Sequence, residues 1–453
     1  VIRGGRPAAI GLALALLLPL PAAGQEATPS AAPAPSASAA PAPIDPARLP
    51  AGFERYLELL AIVREHYVGA DGLDDAALVE GSIRGLVSAL GDDGHTTWLS
   101  PEEVAAEDAS LRGEVSGIGV LVDDRSGVPV IVSVIPGSPA EAAGVRTGDR
   151  ILAVDGKRTD RMGEGELVGA VRGEPGTTVT LLLERPDGRR RSLPVERALI
   201  AVPSAEHALI PGTGIGVIRL LQFDSGAAEE VADALRALRR QGAEAFVLDL
   251  RGNPGGLLDE AVGVASLFLA DGTVYRERSR DGSVREVPAR GDAVEAEAPL
   301  VVLVDAGSAS SAEIVAAALG ESGRAVTVGE TTFGTGTILG FFGLSDGSAI
   351  RLGTQRWETP SGRDLYAEGL TPETVVERAP AGRTIGPSEL ARRGPQGLRG
   401  AGDPQIVRAL RILREALRER GSTGGAPRTL RVVAPARLSD VPVERTAEGP
   451  ARL

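Results

Sequence analysis

The sequence predicts a multidomain protein of the α/β (α+β) class, on three observations. Strands alternate with helices from Ile200 to Val328. Short strands punctuated by glycine fill residues 114–198. Apolar residues recur three or four positions apart between Gly52 and Leu90. With 453 residues the chain is long enough for two or three separate cores.

Taken in order, the chain begins with the pattern of an export signal over residues 1–24. Arg3 and Arg6 precede an apolar run from Ala8 to Leu20, and Pro21-Ala22-Ala23-Gly24 supplies small residues before Gln25. A spanning helix needs roughly 20 apolar residues. Pro21 shortens this run, so a cleaved signal is expected and an extracytoplasmic location (secreted, periplasmic or cell-envelope) follows. If the signal stays uncleaved, the alternative is an N-terminal membrane anchor. Residues 25–50 are almost entirely Ala, Pro and Ser, a linker with nothing to bury.

Residues 51–113 read as an N-terminal helical region. Phe53, Tyr56, Leu57, Leu60, Val63 and Tyr67 would line one helix face. A second helix spans about Asp75 to Leu90, and Gly91-Asp92-Asp93-Gly94 ends it. His95 to Leu99 is expected as a loop. Ser100-Pro101-Glu102-Glu103 carries an N-cap serine with proline at the first helical position. From Ile200 onward, strands are expected at Ile215–Leu221, Phe246–Leu250, Leu300–Val304 and Ala325–Val328. Helices are expected at Ala227–Arg240, Leu257–Leu269 and Ala312–Leu319. Gly340 to Trp357 reads as a β-hairpin around Ser345-Asp346-Gly347-Ser348. Pro404 to Arg420 is one further helix.

Composition removes several function classes. Lys+Arg 48 against Asp+Glu 61 leaves a net charge of −13, which argues against nucleic acid as the main partner. Without cysteine there is no disulfide framework, thiolate nucleophile or thiolate metal site. Three histidines, His66, His95 and His207, make a histidine-rich metal centre unexpected. No glycine loop carries Gly-Lys-Ser/Thr, so neither metal nor nucleotide cofactor is implied.

The chemistry gathers in Val301 to Gly336. An apolar run ends at Asp305-Ala306-Gly307, small residues follow, and a helix starts. A serine at such a strand-to-helix turn has an exposed hydroxyl beside unpaired backbone N–H groups, which suits a nucleophile with half an oxyanion hole. Ser308, Ser310 and Ser311 are the candidates.

Two resemblances sharpen this reading. Gly117-Ile118-Gly119-Val120, the strand Val130–Val134, Ser138-Pro139-Ala140-Glu141 and Gly148-Asp149-Arg150-Ile151-Leu152-Ala153-Val154-Asp155-Gly156 resemble a PDZ domain over residues 114–198. That resemblance implies a carboxylate-binding loop at Ser116, Gly117, Ile118, Gly119 and Val120, with the peptide adding as an extra strand. The order of helical segment, PDZ and α/β core resembles the carboxyl-terminal processing (tail-specific) serine peptidases. The motifs that carry it are Val247-Leu248-Asp249-Leu250-Arg251-Gly252-Asn253-Pro254-Gly255-Gly256, Gly307-Ser308-Ala309-Ser310-Ser311-Ala312-Glu313-Ile314, Gly329-Glu330-Thr331-Thr332-Phe333-Gly334 and Glu368-Gly369-Leu370-Thr371-Pro372-Glu373. This implies a ClpP/crotonase-like βαβ peptidase core at residues 199–386, followed by a C-terminal extension at 387–453. Aligned this way, Ser310 is the nucleophile, and the N–H groups of Gly255, Gly256 and Ser311 form the oxyanion hole. Protein or peptide substrates with free C-termini are the implied partners. Arg251 is expected to pair with a carboxylate for structure, and His66 to pack.

The chain departs from the family at the base. Such peptidases carry lysine in Phe-Gly-Lys-Gly, with glutamine four positions later. Here the sequence is Phe333-Gly334-Thr335-Gly336, then Leu339, and the one lysine of the chain, Lys157, lies in the PDZ region. Some relatives of this fold use serine, histidine and glutamate instead. By that resemblance His95 is the base and Glu368, 58 positions beyond Ser310, is the orienting acid. The alternative is a catalytically inactive PDZ peptide-binding pseudoprotease.

Overall fold

The structure is a computed structural model and describes residues 52–92, 96–123, 128–162, 164–291, 293–379, 384–397 and 402–423. The expected signal, the linker and His95 lie outside the described residues. Among those described, no helix is long and apolar enough to cross a membrane.

The N-terminal region holds helices α1 (Phe53–His66) and α2 (Asp75–Ser88), strand β1 (Thr97–Leu99) and helix α3 (Pro101–Leu111). The apolar spacing does set α1, yet none of its residues is buried, and none of α2. The two helices are tied instead by Tyr56 Oη to Ser82 Oγ at 2.6 Å and by Arg64 to Asp75 at 2.6 Å. His66 is exposed rather than packed. The segment expected as a loop after His95 forms β1, because Thr97, Trp98 and Leu99 find an antiparallel partner about 250 residues away. At α3 the sequence signal holds fully. Ser100 caps Glu103 N, and the Glu103 carboxylate returns to Ser100 N.

The PDZ region comprises β2 (Glu114–Gly117), β3 (Val120–Asp123), β4 (Val130–Val134), α4 (Pro139–Ala142), β5 (Arg150–Val154), β6 (Lys157–Arg158), α5 (Glu164–Val171), β7 (Thr178–Glu184) and β8 (Arg190–Glu196). Its sheet runs β3-β4-β5-β7-β8, so β3 is an edge. Ile118, Ile131, Ile151, Leu181 and Leu183 form its core. Strand β9 (Ala198–Ala201) pairs with β2 and carries the chain into the peptidase region.

That region contains β10 (Ala205–Ile210), β11 (Ile215–Leu220), α6 (Ala227–Arg240), β12 (Ala245–Asp249), α7 (Leu258–Ser266), β13 (Thr273–Arg278), β14 (Val284–Pro288), β15 (Leu300–Val304), α8 (Ser311–Glu321), β16 (Val326–Gly329), β17 (Thr337–Gly343), β18 (Ala349–Glu358), β19 (Thr374–Val375), α9 (Pro387–Gly397) and α10 (Pro404–Thr423). The main sheet runs β10-β11-β12-β15-β16-β19 and is parallel from β11 onward. Side chains alternate along each strand. Phe246, Leu248, Leu300 and Val302 meet α6, α7 and α8, whereas Val247, Val301 and Leu303 meet Ile406, Leu410 and Leu413 of α10. Burial on both faces explains the unbroken apolar runs in β12 and β15. A second sheet, β1-β18-β13-β14 with β17 on β18, lies beside it.

The extension after residue 386 therefore carries a core helix. Arg251, 2 % exposed, fixes it: its guanidinium donates to Asp249 at 2.8 and 2.7 Å and to Asp403 at 2.9 and 3.0 Å. Asp403 in turn accepts from Ile406 N at the start of α10. Burial alone would lower the Arg251 pKa, but the two carboxylates outweigh it and raise it above the ordinary arginine value. Arg251→Met leaves two buried carboxylates without their cation, and a loss of about 3–5 kcal/mol is expected. Urea unfolding of the full chain checks this; a loss below about 1 kcal/mol would show the triad to be dispensable.

Candidate active site

Three loops meet beyond the C-terminal ends of the parallel strands, where open α/β sheets place their ligand crevice. They follow β12 (residues 250–257), β15 (305–310) and β16 (330–336).

The three candidate serines have different roles. Ser308 is fully buried; its hydroxyl donates to Leu250 O at 2.8 Å and accepts from Asp305 N at 3.0 Å, clamping two loops together. Ser311 is also buried, and its hydroxyl donates to Gly256 O at 2.9 Å. Ser310 is partly exposed and sits immediately before α8 with φ 53° and ψ −119°. A non-glycine residue at positive φ stores strain that the surroundings must hold in place. Among the described residues, no side-chain base is hydrogen-bonded to the Ser310 hydroxyl.

The glycine loop touches this serine. A Cβ added to Gly255, at φ +102°, would lie 2.7 Å from Ser310 Cβ and 3.1 Å from Ser311 N. Only glycine fits there. Gly256, at φ +139°, would collide with Phe223 O at 2.3 Å. The expected donors are not equivalent. The Gly255 N–H donates to Asn253 Oδ1 at 2.9 Å. The N–H groups of Gly256 and Ser311 have no hydrogen-bond acceptor among the described residues. Ser311 N also lies in the first turn of α8, where the helix dipole favours negative charge.

Residue 335 stands beside Ser310. Thr335 Oγ1 accepts from Ser310 N at 3.1 Å. Its oxygen therefore meets the backbone of Ser310, and a threonine hydroxyl cannot take a proton from serine near neutral pH.

What holds this arrangement is Glu313, which the sequence reading left without a role. It is fully buried on α8. One carboxylate oxygen accepts from Thr332 Oγ1 at 2.5 Å and Gly334 N at 2.7 Å; the other accepts from Thr335 N at 2.9 Å and Ser310 N at 2.9 Å. The signal was present in Ser310-Ser311-Ala312-Glu313, a serine followed three residues later by glutamate at a helix start.

Glu368 lies on the loop 364–370, whose backbone is bonded to the 332–334 loop through Ala367 N to Gly334 O at 2.9 Å and Thr332 N to Leu370 O at 3.2 Å. Its carboxylate is exposed and accepts no hydrogen bond among the described residues. For His95, which is not described, the flanking residues are informative. Asp92 Oδ2 accepts from Thr96 Oγ1 at 2.6 Å, and Asp92 Oδ1 accepts from Tyr366 Oη at 3.0 Å. A Cβ on Gly353 would contact both Asp92 Oδ2 (3.2 Å) and the Thr337 methyl (3.7 Å). Thr337 is two residues past Thr335.

The residues expected to bind peptide lie together beside the β3 edge. Ser116, Gly117, Ile118, Gly119 and Val120 all line one cavity of about 350 Å³ between the β3 edge and α5. Val168 and Val171 of α5 face them, and Ile200 of β9 closes one wall. The Ser116 hydroxyl ties the loop to the end of α5 by donating to Gly173 O at 2.5 Å.

Comparison with known proteins agrees with this layout. Peptidase family S41 matches residues 214–376 and the PDZ domain family matches residues 130–185. The chain is 39% identical over 310 residues to a carboxyl-terminal-processing protease of Picosynechococcus, covering 67% of this chain and 75% of that protein. It is 37% identical over 305 residues to the carboxy-terminal processing protease CtpA of Bacillus subtilis, covering 67% and 65% respectively. A solved photosystem II D1 C-terminal processing protease is 29% identical, with a TM-score of 0.46 over 79% of this chain and 100% of that one. This chain belongs to peptidase family S41, among the PDZ-containing carboxy-terminal processing serine proteases.

Proposed function

We propose that this protein is an exported serine endopeptidase that holds a substrate C-terminus in the PDZ groove and cleaves a peptide bond with Ser310, using His95 as the base. The single observation that carries the reading is the strained, partly exposed Ser310, followed by a Ser311 N–H without an acceptor among the described residues, while the neighbouring serine hydroxyls are engaged by the backbone.

In this reading Ser310 Oγ attacks the carbonyl carbon as its proton passes to the His95 imidazole. The oxyanion is met by the N–H groups of Ser311 and Gly256, each worth on the order of 3 kcal/mol in the transition state. Gly255 joins them when Asn253 releases its N–H. The imidazolium then gives its proton to the departing amine, and water hydrolyses the acyl-enzyme by the same route. Glu368 is the proposed orienting acid, which requires its exposed carboxylate to turn toward the histidine. Asp92 and Thr337 both flank Gly353, and this nearness of the segment after α2 to the strand that follows Thr335 supports a base delivered from that segment.

A fluorophosphonate probe tests the nucleophile. Labelling of the wild type and its absence in Ser310→Ala is expected; equal labelling of both would assign the reactivity elsewhere. A second reading, a non-catalytic peptide-binding protein, is favoured by Thr335, which occupies the place beside Ser310 without being able to accept its proton.

The groove walls predict its preference. Val168 is 40% exposed and lines the cavity opposite the carboxylate loop. A C-terminal apolar side chain is the expected occupant. Val168→Glu sets a carboxylate against it and should weaken binding of a fluorescent peptide ending in an apolar residue about tenfold, or about 1.4 kcal/mol. Unchanged affinity would remove α5 from the recognition surface.

A further inference from the structure

A second cavity, of about 400 Å³, lies beside the nucleophile loops; three arginines, Arg278, Arg280 and Arg356, and one acid, Asp92, line it together with Thr337, Gly353 and Tyr366. Two registers set its geometry. Thr337 of β17 is paired with Arg356 of β18, and Arg356 is paired with Arg278 of β13. Directly opposed residues in antiparallel strands share a face, so the three form one row across the sheet. Strands lie about 4.8 Å apart, which puts Arg356 and Arg278 about 5 and 10 Å from Thr337 along that row. Thr337 is two residues from Thr335, which touches Ser310.

Like charges placed directly opposite one another destabilise a sheet unless something answers them. Arg278 has one answer, Glu358, which accepts from its Nε at 2.5 Å. Arg356 has less. Its guanidinium lies over the Tyr366 ring, 3.6 Å from the centroid, and its nearest carboxylate, Asp364, is 4.0 Å away. None of its N–H groups makes a hydrogen bond among the described residues, and Arg280 stands exposed at the same cavity. Ring stacking fixes the plane of the Arg356 fork and leaves its donors available, the arrangement that recognises carboxylates. Asp92 reaches the same cavity over Gly353, but its two oxygens are engaged by Thr96 Oγ1 at 2.6 Å and Tyr366 Oη at 3.0 Å, so it does not take the Arg356 donors.

We infer that this arginine row is a substrate subsite for an acidic side chain, which makes the enzyme prefer peptides carrying Asp or Glu within about two to four residues of the bond attacked by Ser310. The inference rests on the proteolytic reading for its position along the substrate, and on the cavity alone for its chemistry. A carboxylate at a chain end offers the same chemistry. The PDZ groove claims that end in the present reading, so the side chain is the assigned source.

Paired peptides that differ by Glu or Gln, scanned over four positions on either side of the cleaved bond, test it. Each pair is made with a free and an amidated C-terminus. Binding is followed by fluorescence anisotropy with Ser310→Ala and cleavage with the wild type. A Glu over Gln preference of roughly tenfold or more at one position is expected, as charge-assisted hydrogen bonds are lost in the amide. It should survive terminal amidation and shrink from about 50 mM to about 500 mM salt. In Arg356→Gln, which leaves no buried carboxylate unpaired, the Glu to Gln ratio should fall toward one. Equal binding of Glu and Gln peptides at every position overturns the inference, as does a ratio unchanged in Arg356→Gln. A preference abolished by amidation overturns the side-chain source. A binding preference without any cleavage counts against the proteolytic reading and still supports the acid-recognising site.

Discussion

Ser310→Ala is expected to lower peptide turnover by about 10⁴-fold or more, and His95→Ala by a comparable factor, with little further loss in the double variant. The near-equality follows from the proposed chemistry. A serine hydroxyl is a poor nucleophile until its proton is taken, so losing the base and losing the nucleophile remove the same event. Thr335 cannot substitute, because its oxygen already accepts from Ser310 N, and Lys157 lies on strand β6 of the PDZ sheet. The pH profile provides an independent readout. An imidazole base must be neutral, and an unperturbed histidine titrates near about pH 6.5. The value of kcat/KM should therefore fall as pH drops through that region. A carboxylate base would move the fall to about pH 4. If His95→Ala keeps both the rate and the step near neutrality, His95 is not the base. If wild type and Ser310→Ala are equally inert toward unfolded and tailed substrates, the binding reading replaces catalysis.

The parts of the fold legible in the sequence share a physical cause. Strands β12 and β15 are buried on both faces and so appear as uninterrupted apolar runs. The helices α6, α7 and α8 that pack on them carry wide apolar stripes, and the β17–β18 hairpin announces itself by Asp346-Gly347 at the turn. Strands β13 and β14 escaped notice because Thr-Val-Tyr-Arg-Glu-Arg and Val-Arg-Glu-Val-Pro mix charge with apolar residues, and β14 is largely exposed. Strand β1 escaped because its order comes from a partner far along the chain. Long-range polar contacts are invisible for the same reason. Nothing near Arg251 points to Asp403, 152 positions away, and nothing places Arg278 opposite Arg356. At the candidate site, the strand-to-helix turn and the glycine loop could be read locally. The choice of Ser310 over Ser308 and Ser311 needed the motif order, and the structure adds a reason, since both neighbours bond to backbone carbonyls.

Glu313→Ala is expected to cost about 4 kcal/mol or more and to slow probe labelling of Ser310 sharply. The carboxylate is buried, forms no ion pair among the described residues, and is matched instead by donors from Thr332, Gly334, Thr335 and Ser310. Removing it leaves the donors of Thr332, Gly334 and Thr335 facing a void, each costing about 1–3 kcal/mol when unsatisfied, while Ser310 N keeps Thr335 Oγ1. The position near the N-terminus of α8 adds a favourable dipole term that alanine also loses. Glu313→Gln separates charge from shape. One amide oxygen can still accept two of the donors, but the amide nitrogen then faces the other two, donor against donor. An intermediate loss is therefore expected, larger if the nitrogen meets Ser310 N and Thr335 N than if it meets the Thr332 side. The Glu313 carboxylate touches no reacting atom and acts as a positioning group. Its variants should lower the labelling rate and kcat at a temperature where they remain folded, while the midpoint of the pH profile stays where the base sets it. A melting temperature within about 1 °C of wild type for Glu313→Ala, with an unchanged labelling rate, would mean that the strained Ser310 conformation is held by something else. A shifted pH midpoint would instead place Glu313 in direct electrostatic contact with the base.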